Sequence, residues 1–220
     1  MNSIIESFLS LENTLAAGLF ESKVYPHEVL AEIKGFICEL GKTLSPELYY
    51  NTEPDIWIAK SASVASSAYI KGPCIIDEDA EIRHCAFIRG AALVGKGAVV
   101  GNSTELKNVI LFDKVQVPHY NYVGDSVLGY KAHMGAGAIT SNVKSDKSIV
   151  SVSYGEERFS SELKKFGAIV GDNVEVGCGT VLNPGSVIGR SSNVYPLSSV
   201  RGYIPGNSIY KNAGEIAIKR

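Results

Sequence analysis

A chain of 220 residues with 45% hydrophobic and 20% charged content holds enough apolar material for one large domain, or for one domain with an appendage, and lacks the composition of a disordered segment. A formal net charge of -2 leaves no basic footprint for nucleic acid or an anionic membrane surface. Cys38, Cys74, Cys85 and Cys178 have neither CxxC nor paired-ligand spacing, which argues against a zinc site or a disulfide framework and fits a reducing cytoplasm.

From the N-terminus, Ile4, Phe8, Leu11, Leu15 and Leu19 recur at steps of three and four, the spacing of one helical face. This opening stretch carries acidic residues and no basic start, and no apolar run reaches the roughly 18 residues of a membrane helix, so a soluble, unprocessed chain is expected. A second helix is predicted from Pro26 through Val29, Leu30, Ile33, Phe36, Ile37 and Leu40, with Gly41 placed to end it. The two should form a hairpin. Lys42 to Asp55 contains Pro46 and Pro54 with no sustained period and reads as a connector, so residues 1–54 make up an N-terminal segment.

After Asp55 the period becomes six. Ile58, Val64, Ile70, Ile76, Ile82, Ile88, Val94, Val100, Leu106 and Phe112 follow one another without exception, and the pattern returns as Val170, Val176, Leu182, Ile188, Val194 and Val200. Six matches neither a helix nor a simple strand. A triangular coil of three short strands and three turns uses about 18 residues per rung and stacks its aliphatic residues into a column. The fold class is therefore all-β, a left-handed parallel β-helix of hexapeptide repeats with an N-terminal α-helical hairpin. The β-helix spans 55–210, with about six to eight rungs by this arithmetic, and leaves a tail at 211–220. Gly95, Gly97, Gly101, Gly171, Gly177 and Gly189 suit tight corners, through positive φ or close backbone approach. Between the two runs of hexads, residues 143–167 form a polar, charged insertion, of a length that is usually functional or disordered.

The run before the insertion, VPHYNYVGDSVLGYKAHMGAGAITSN, carries more than the repeat. His119, Tyr122, Gly124 and Asp125, then Gly135, Ala136 and Gly137, then Asn142, occur in that order. The sequence resembles the acetyltransferase half of the bifunctional glucosamine-1-phosphate N-acetyltransferase and N-acetylglucosamine-1-phosphate uridylyltransferase family, over roughly residues 56–210. It is also similar to archaeal and clostridial sugar-nucleotidyltransferase-like chains, which share a long loop ending in a KFGAIVGD-like sequence.

The resemblance implies a CoA-dependent N-acetyltransferase acting on an amino-sugar-1-phosphate, with acetyl-CoA as co-substrate and no metal. His119 would be the general base, a task that suits an imidazole, and Asp125 would either orient it or cap a turn. Arg89 and Lys107, 18 residues apart and so on the same corner of consecutive rungs, match the family's phosphate contacts. Tyr122, His133 and Asn142 match its sugar contacts, with His133 standing where asparagine is common. In the insertion, Lys144 and Lys147 are candidate substrate contacts or solvated charges. Ala136, whose neighbouring amides would stabilise the thioester oxygen, is assigned to acetyl-CoA with Cys178, Pro196 and Lys211. A prism with three flat sides closes naturally as a homotrimer, with clefts between neighbours. A non-catalytic scaffold trimer remains a second reading. A uridylyltransferase is disfavoured by the missing Gly-x-Gly-Thr-Arg segment and α/β domain, and a three-histidine metal enzyme by the histidine spacing.

Overall fold

The computed structural model describes residues 4–211 and 214–219; residues 1–3, 212–213 and 220, which belong to the expected N-terminal segment and tail, lie outside the described residues. The six-residue period becomes a left-handed parallel β-helix. One face stacks Ile56–Ala59, Cys74–Ile76, Ala92–Val94, the second halves of Glu105–Leu111 and Tyr122–Leu128, then Ala168–Val170, Ser186–Ile188 and Tyr203–Ile204. A second face runs in the same order from Ser63–Val64 to Ser208–Tyr210, and a third from Tyr69–Ile70 to Ser199–Val200. Inward residues align coil on coil, as in Ile76 to Val94 to Leu111 to Leu128 to Val170 to Ile188, all buried. Removing a Val, Leu or Ile side chain of this kind from water contributes about 1.5–3 kcal/mol.

The period slips at one corner. Leu111, five residues after Leu106, takes the inward place opposite Val94. Phe112 instead leaves the column and packs edge-on against Phe20 of the N-terminal segment, with ring centroids 6.0 Å apart. The next coil repeats the shortening between Val123 and Leu128, so Glu105–Leu111 and Tyr122–Leu128 run as continuous seven-residue strands through the corner. Asn108 and Asp125 take the left-handed conformation there, with φ of 55° and 47°.

The corner glycines also differ from expectation. Of the six named, only Gly97 has positive φ; the left-handed corner positions are otherwise held by residues such as Asp79, Ser103, Tyr120 and Leu197. The remaining five are required for close coil-to-coil approach: a Cβ on Gly101 would lie 1.6 Å from the carbonyl oxygen of Pro118.

The N-terminal segment is less helical than its spacing predicts. Instead of one continuous first helix there are single helical turns, 3-10 at Ile5–Ser7 and Leu11–Asn13 and α at Ala17–Phe20. Its backbone groups bond outward to the solenoid: Ser10 N donates to Asp172 Oδ2 at 2.9 Å, and Asp172 N and Asp113 N donate to the carbonyls of Phe8 and Asn13 at 3.0 Å. Those bonds replace an internal helical ladder. The second helix is Ile33–Thr43, preceded by the 3-10 turn Pro26–Ala31. Gly41 does not end it. A Cβ there would fall 2.4 Å from the Trp57 ring, so the glycine admits the tryptophan. The expected connector contains the strand Tyr49–Glu53, which pairs antiparallel with Ile56–Ala59 and covers the first edge of the coil.

The insertion folds as a hairpin, Ser151–Tyr154 against Glu157–Ser160. Val152 and Tyr154 are buried, and Tyr154, Phe159 and Phe166 gather with Phe8, Tyr25 and His27 of the N-terminal segment. His27 is 3% exposed, lies parallel to the Phe166 ring at 5.4 Å, and has its Nδ1 3.0 Å from the Tyr154 hydroxyl. Burial pushes its pKa down to about 4, against a weaker upward pull from Glu28. Glu157, reached by the Tyr25 hydroxyl at 3.3 Å, lies at the margin of the cluster.

A histidine kept neutral by folding binds its proton more readily when unfolded, so its contribution is complete above pH 6.5 and is lost as pH falls toward 4. Thermal or urea unfolding between pH 7 and 4.5 should show a His27-dependent slope of up to about 1.4 kcal/mol per pH unit. His27→Gln should flatten it, and equal slopes would remove His27 as the cause.

Candidate active site

Two corners of the prism, on either side of the third face, carry the polar residues. At the corner between the second and third faces, successive turns hydrogen-bond one beneath another. Tyr120 N donates to the Asn102 carbonyl at 2.9 Å, Gly137 N to that of His119 at 3.0 Å, Gly179 N to that of Ala136 at 2.9 Å and Leu197 N to that of Cys178 at 2.9 Å. His119, Ala136, Cys178 and Pro196 thus follow one another down a single edge although they span 78 residues, the difference between 196 and 119 counted inclusively. Neighbouring coils lie about 4.8 Å apart. His119 is exposed and its ring has no hydrogen-bond partner among the described residues. Gly135 permits this stacking, since a Cβ there would lie 2.7 Å from Cys178 N. Within residues 135–138, the N–H groups of Gly135, Gly137 and Ala138 are taken by Val176, His119 and Gly135; that of Ala136 remains free among the described residues.

A residue missed by motif reading holds this edge. Asn121 is 2% exposed; its Oδ1 accepts from His119 N at 3.1 Å, and its Nδ2 donates to the carbonyls of Gly135 at 2.9 Å and Ala138 at 3.0 Å. It therefore clamps the His119 turn to the next one. The signal was present: Asn121 occupies a slot that neighbouring coils fill with Ala86, Thr104, Ala138 and Thr180, all small.

At the other corner, Asp125 is the hub. Lys107 Nζ donates to its two oxygens at 2.9 and 3.0 Å, Asn108 Nδ2 to Oδ1 at 3.0 Å, and Asn142 Nδ2 to Oδ2. Asn142 also reaches the Tyr122 hydroxyl at 3.3 Å, and Asn108 the Leu30 carbonyl at 3.0 Å. Asp125 is 3% exposed and makes no bond to His119, so orienting the imidazole is not the role its contacts give it. Lys107 is already half of a partly buried ion pair, whereas Arg89 is exposed and pairs with Glu105 at 2.9 Å. The Tyr122 hydroxyl is held above its ordinary range, first by burial and then by the Asp125 charge.

The remaining residues disperse. His133 faces out from the second face, around the corner from Tyr122 and Asn142, with its Nδ1 2.7 Å from Glu175 Oε2. With Glu175, Cys178, Tyr195 and Pro196 it lines an open groove of about 480 Å³. Lys211 stays outside that groove and pairs with Glu215 at 2.7 Å. In the insertion, Lys144 donates to Ser148 Oγ and the Ile149 carbonyl, while Lys147 is exposed.

This solenoid with its residue-bearing edge defines the hexapeptide-repeat class. More particularly, the chain belongs to the GMPPB C-terminal domain family, whose model matches residues 70–190. It is 38% identical over 120 residues to the bifunctional protein GlmU of Methanococcus aeolicus, a match covering 54% of this chain and 29% of that one. It is 34% identical over 167 residues to a bifunctional sugar-1-phosphate nucleotidylyltransferase/acetyltransferase of Sulfurisphaera tokodaii, covering 68% of this chain and 42% of the relative. The chain thus spans under half the length of these relatives. Among solved structures, a single-residue mutant of AntD, an N-acyltransferase from Bacillus cereus in complex with dTDP and coenzyme A, aligns with a TM-score of 0.42 at 16% identity, over 79% of this chain and 91% of that one.

Removing the Asp125 carboxylate would strand the Lys107 ammonium and two amides. Asp125→Ala should therefore destabilise the chain by about 3–5 kcal/mol, measured as a lower urea midpoint. A change below about 1 kcal/mol would show that the hub contributes little.

Proposed function

We propose that the chain is an N-acetyltransferase that moves an acetyl group from acetyl-CoA to the amine of an amino-sugar-1-phosphate. The observation that carries the reading is the corner column, in which His119 stands directly above Ala136, Cys178 and Pro196. The sugar amine attacks the thioester carbonyl, with His119 taking the amine proton as the C–N bond forms. The C–S bond then breaks and the proton passes to the departing thiolate. The unengaged N–H of Ala136 suits the transient oxyanion, a role that needs a donor already aimed and unpaired. Family membership and the names of the archaeal relatives support the same chemistry.

Arg89 is the better candidate for phosphate contact, because its guanidinium is exposed and its pairing with Glu105 is exchangeable; Lys107 serves chiefly to hold Asp125. The acyl donor would lie along the groove bordered by Cys178 and Pro196. Tyr120 and Leu197, 64% and 83% exposed on the His119 edge, favour an assembly in which neighbouring copies cover this edge, and three copies close around a three-sided prism. His133 would then act across such an interface, rather than with Tyr122 of its own chain.

Release of free CoA thiol, followed with glucosamine-1-phosphate, galactosamine-1-phosphate and their unphosphorylated forms, tests the reading. His119→Ala should lower turnover by about 10²–10⁴-fold. Arg89→Ala should raise KM for the phosphorylated sugar about 10-fold with kcat little changed. Undiminished turnover in the His119 variant would overturn the general-base assignment, and no thiol release across the panel would overturn the substrate class.

A further inference from the structure

The insertion hairpin has two sides. Strand alternation sends Val152 and Tyr154 into the aromatic cluster, and Ser151 and Ser153 to the opposite side, where Arg158 stands directly across from Ser153. That side faces the last coils and encloses a cavity of about 370 Å³ with Lys144, Pro184 and Arg201. The wall is held closely: a Cβ on Gly185 would meet the Ser151 carbonyl oxygen at 2.5 Å, and Gly185 N donates to the carbonyls of Phe166 and Gly167. Neither Arg158 nor Arg201 pairs with a carboxylate among the described residues. The nearby carboxylate, Asp146, lines an adjoining cavity and already accepts from Ser148 N at 2.9 Å and Ser148 Oγ at 2.8 Å.

We infer that Lys144, Arg158 and Arg201, with the hydroxyls of Ser151 and Ser153, form a second anion site that takes a phosphate or diphosphate group. Two guanidinium forks and an ammonium around hydroxyl donors match the several oxygens of a phosphate better than the two of a carboxylate. The site is separate from Arg89 and Lys107. The corner runs from Lys107 through Gly124, Ser141 and Asn183 to Arg201, four coil steps or roughly 19 Å at the usual strand spacing. It is built by the insertion, so it exists only because the repeat is interrupted. Its ligand is either the phosphate-bearing part of the acyl donor or the diphosphate of a nucleotide-linked sugar.

Calorimetric titration of the full chain with inorganic pyrophosphate at low ionic strength tests it. The chain should bind saturably, and the double variant Arg158→Gln, Arg201→Gln should bind at least about 10-fold more weakly, while Arg89→Gln leaves this event unchanged. Both guanidiniums are exposed, so the double variant should melt as the parent does; should it fail to fold, Arg201→Gln alone is titrated and must still weaken binding. No saturable binding by the parent, or equal binding by the variant, overturns the inference. Parallel titrations with CoA against dephospho-CoA, and with uridine diphosphate against uridine, identify the source as the one whose phosphate-dependent affinity the double variant loses. Loss with neither overturns the assignment to a substrate. The acyl-transfer reading is tested separately, by thiol release.

Discussion

The register of one coil upon the next is the constraint on which everything else in this molecule rests. Each coil is a set of short strands, most of two to four residues, that has no stability alone; it exists because its inward aliphatic residues and its backbone bonds are met by the coils on either side. The same register turns sequence distance into spatial order. Ala136 and Cys178 are 42 residues apart, yet occupy adjacent places on one edge because the chain leaves the solenoid after Thr140 and re-enters at Ala168 without slipping. The edge that bears His119 is thus a product of stacking rather than of any local motif.

Tolerating the insertion requires that its apolar residues and its exit points be satisfied elsewhere. Gly167 N bonds the Asp125 carbonyl and Ala168 N bonds Ser126 Oγ, closing the re-entry onto the coil that the chain had left. Tyr154 and Phe166 find their partners in the N-terminal segment, so that segment and the insertion are the two halves of one small core against the prism. The Asp125 hub joins these parts as well. Its ligands are Lys107 and Asn108 from the shortened corner of the preceding coil and Asn142 just before the insertion, and Asn108 ties it to Leu30 of the N-terminal segment.

How far the site could be read from sequence followed from which property each residue type reports. Arg89 and Lys107 could be placed on one corner from their 18-residue spacing, whereas His119 and Tyr122 were singled out only by a family pattern. The separation of His133 from Tyr122 was not legible, because residues eleven apart in a solenoid stand on different faces and only the position of each turn assigns them. Asn121 and Asn108 escaped because an asparagine at a turn ordinarily reports only turn chemistry. Their hydrogen bonds to Gly135, Ala138 and Asp125 cross coils and depend on where the next coil lies.

The amino-acid sequence by itself determined the solenoid and its interruption, because a six-residue aliphatic period is met by a triangular coil that buries those side chains together. Tertiary structure decided what the periodicity is silent about: the shortened corners that turn Phe112 out to Phe20, the replacement of the first helix by turns bonded to Asp113 and Asp172, and the placing of Asp125 among Lys107, Asn108 and Asn142 instead of beside His119. The physical reason is common to all three. Each outcome is set by polar and aromatic partners from distant coils, and such partners leave no period in the chain.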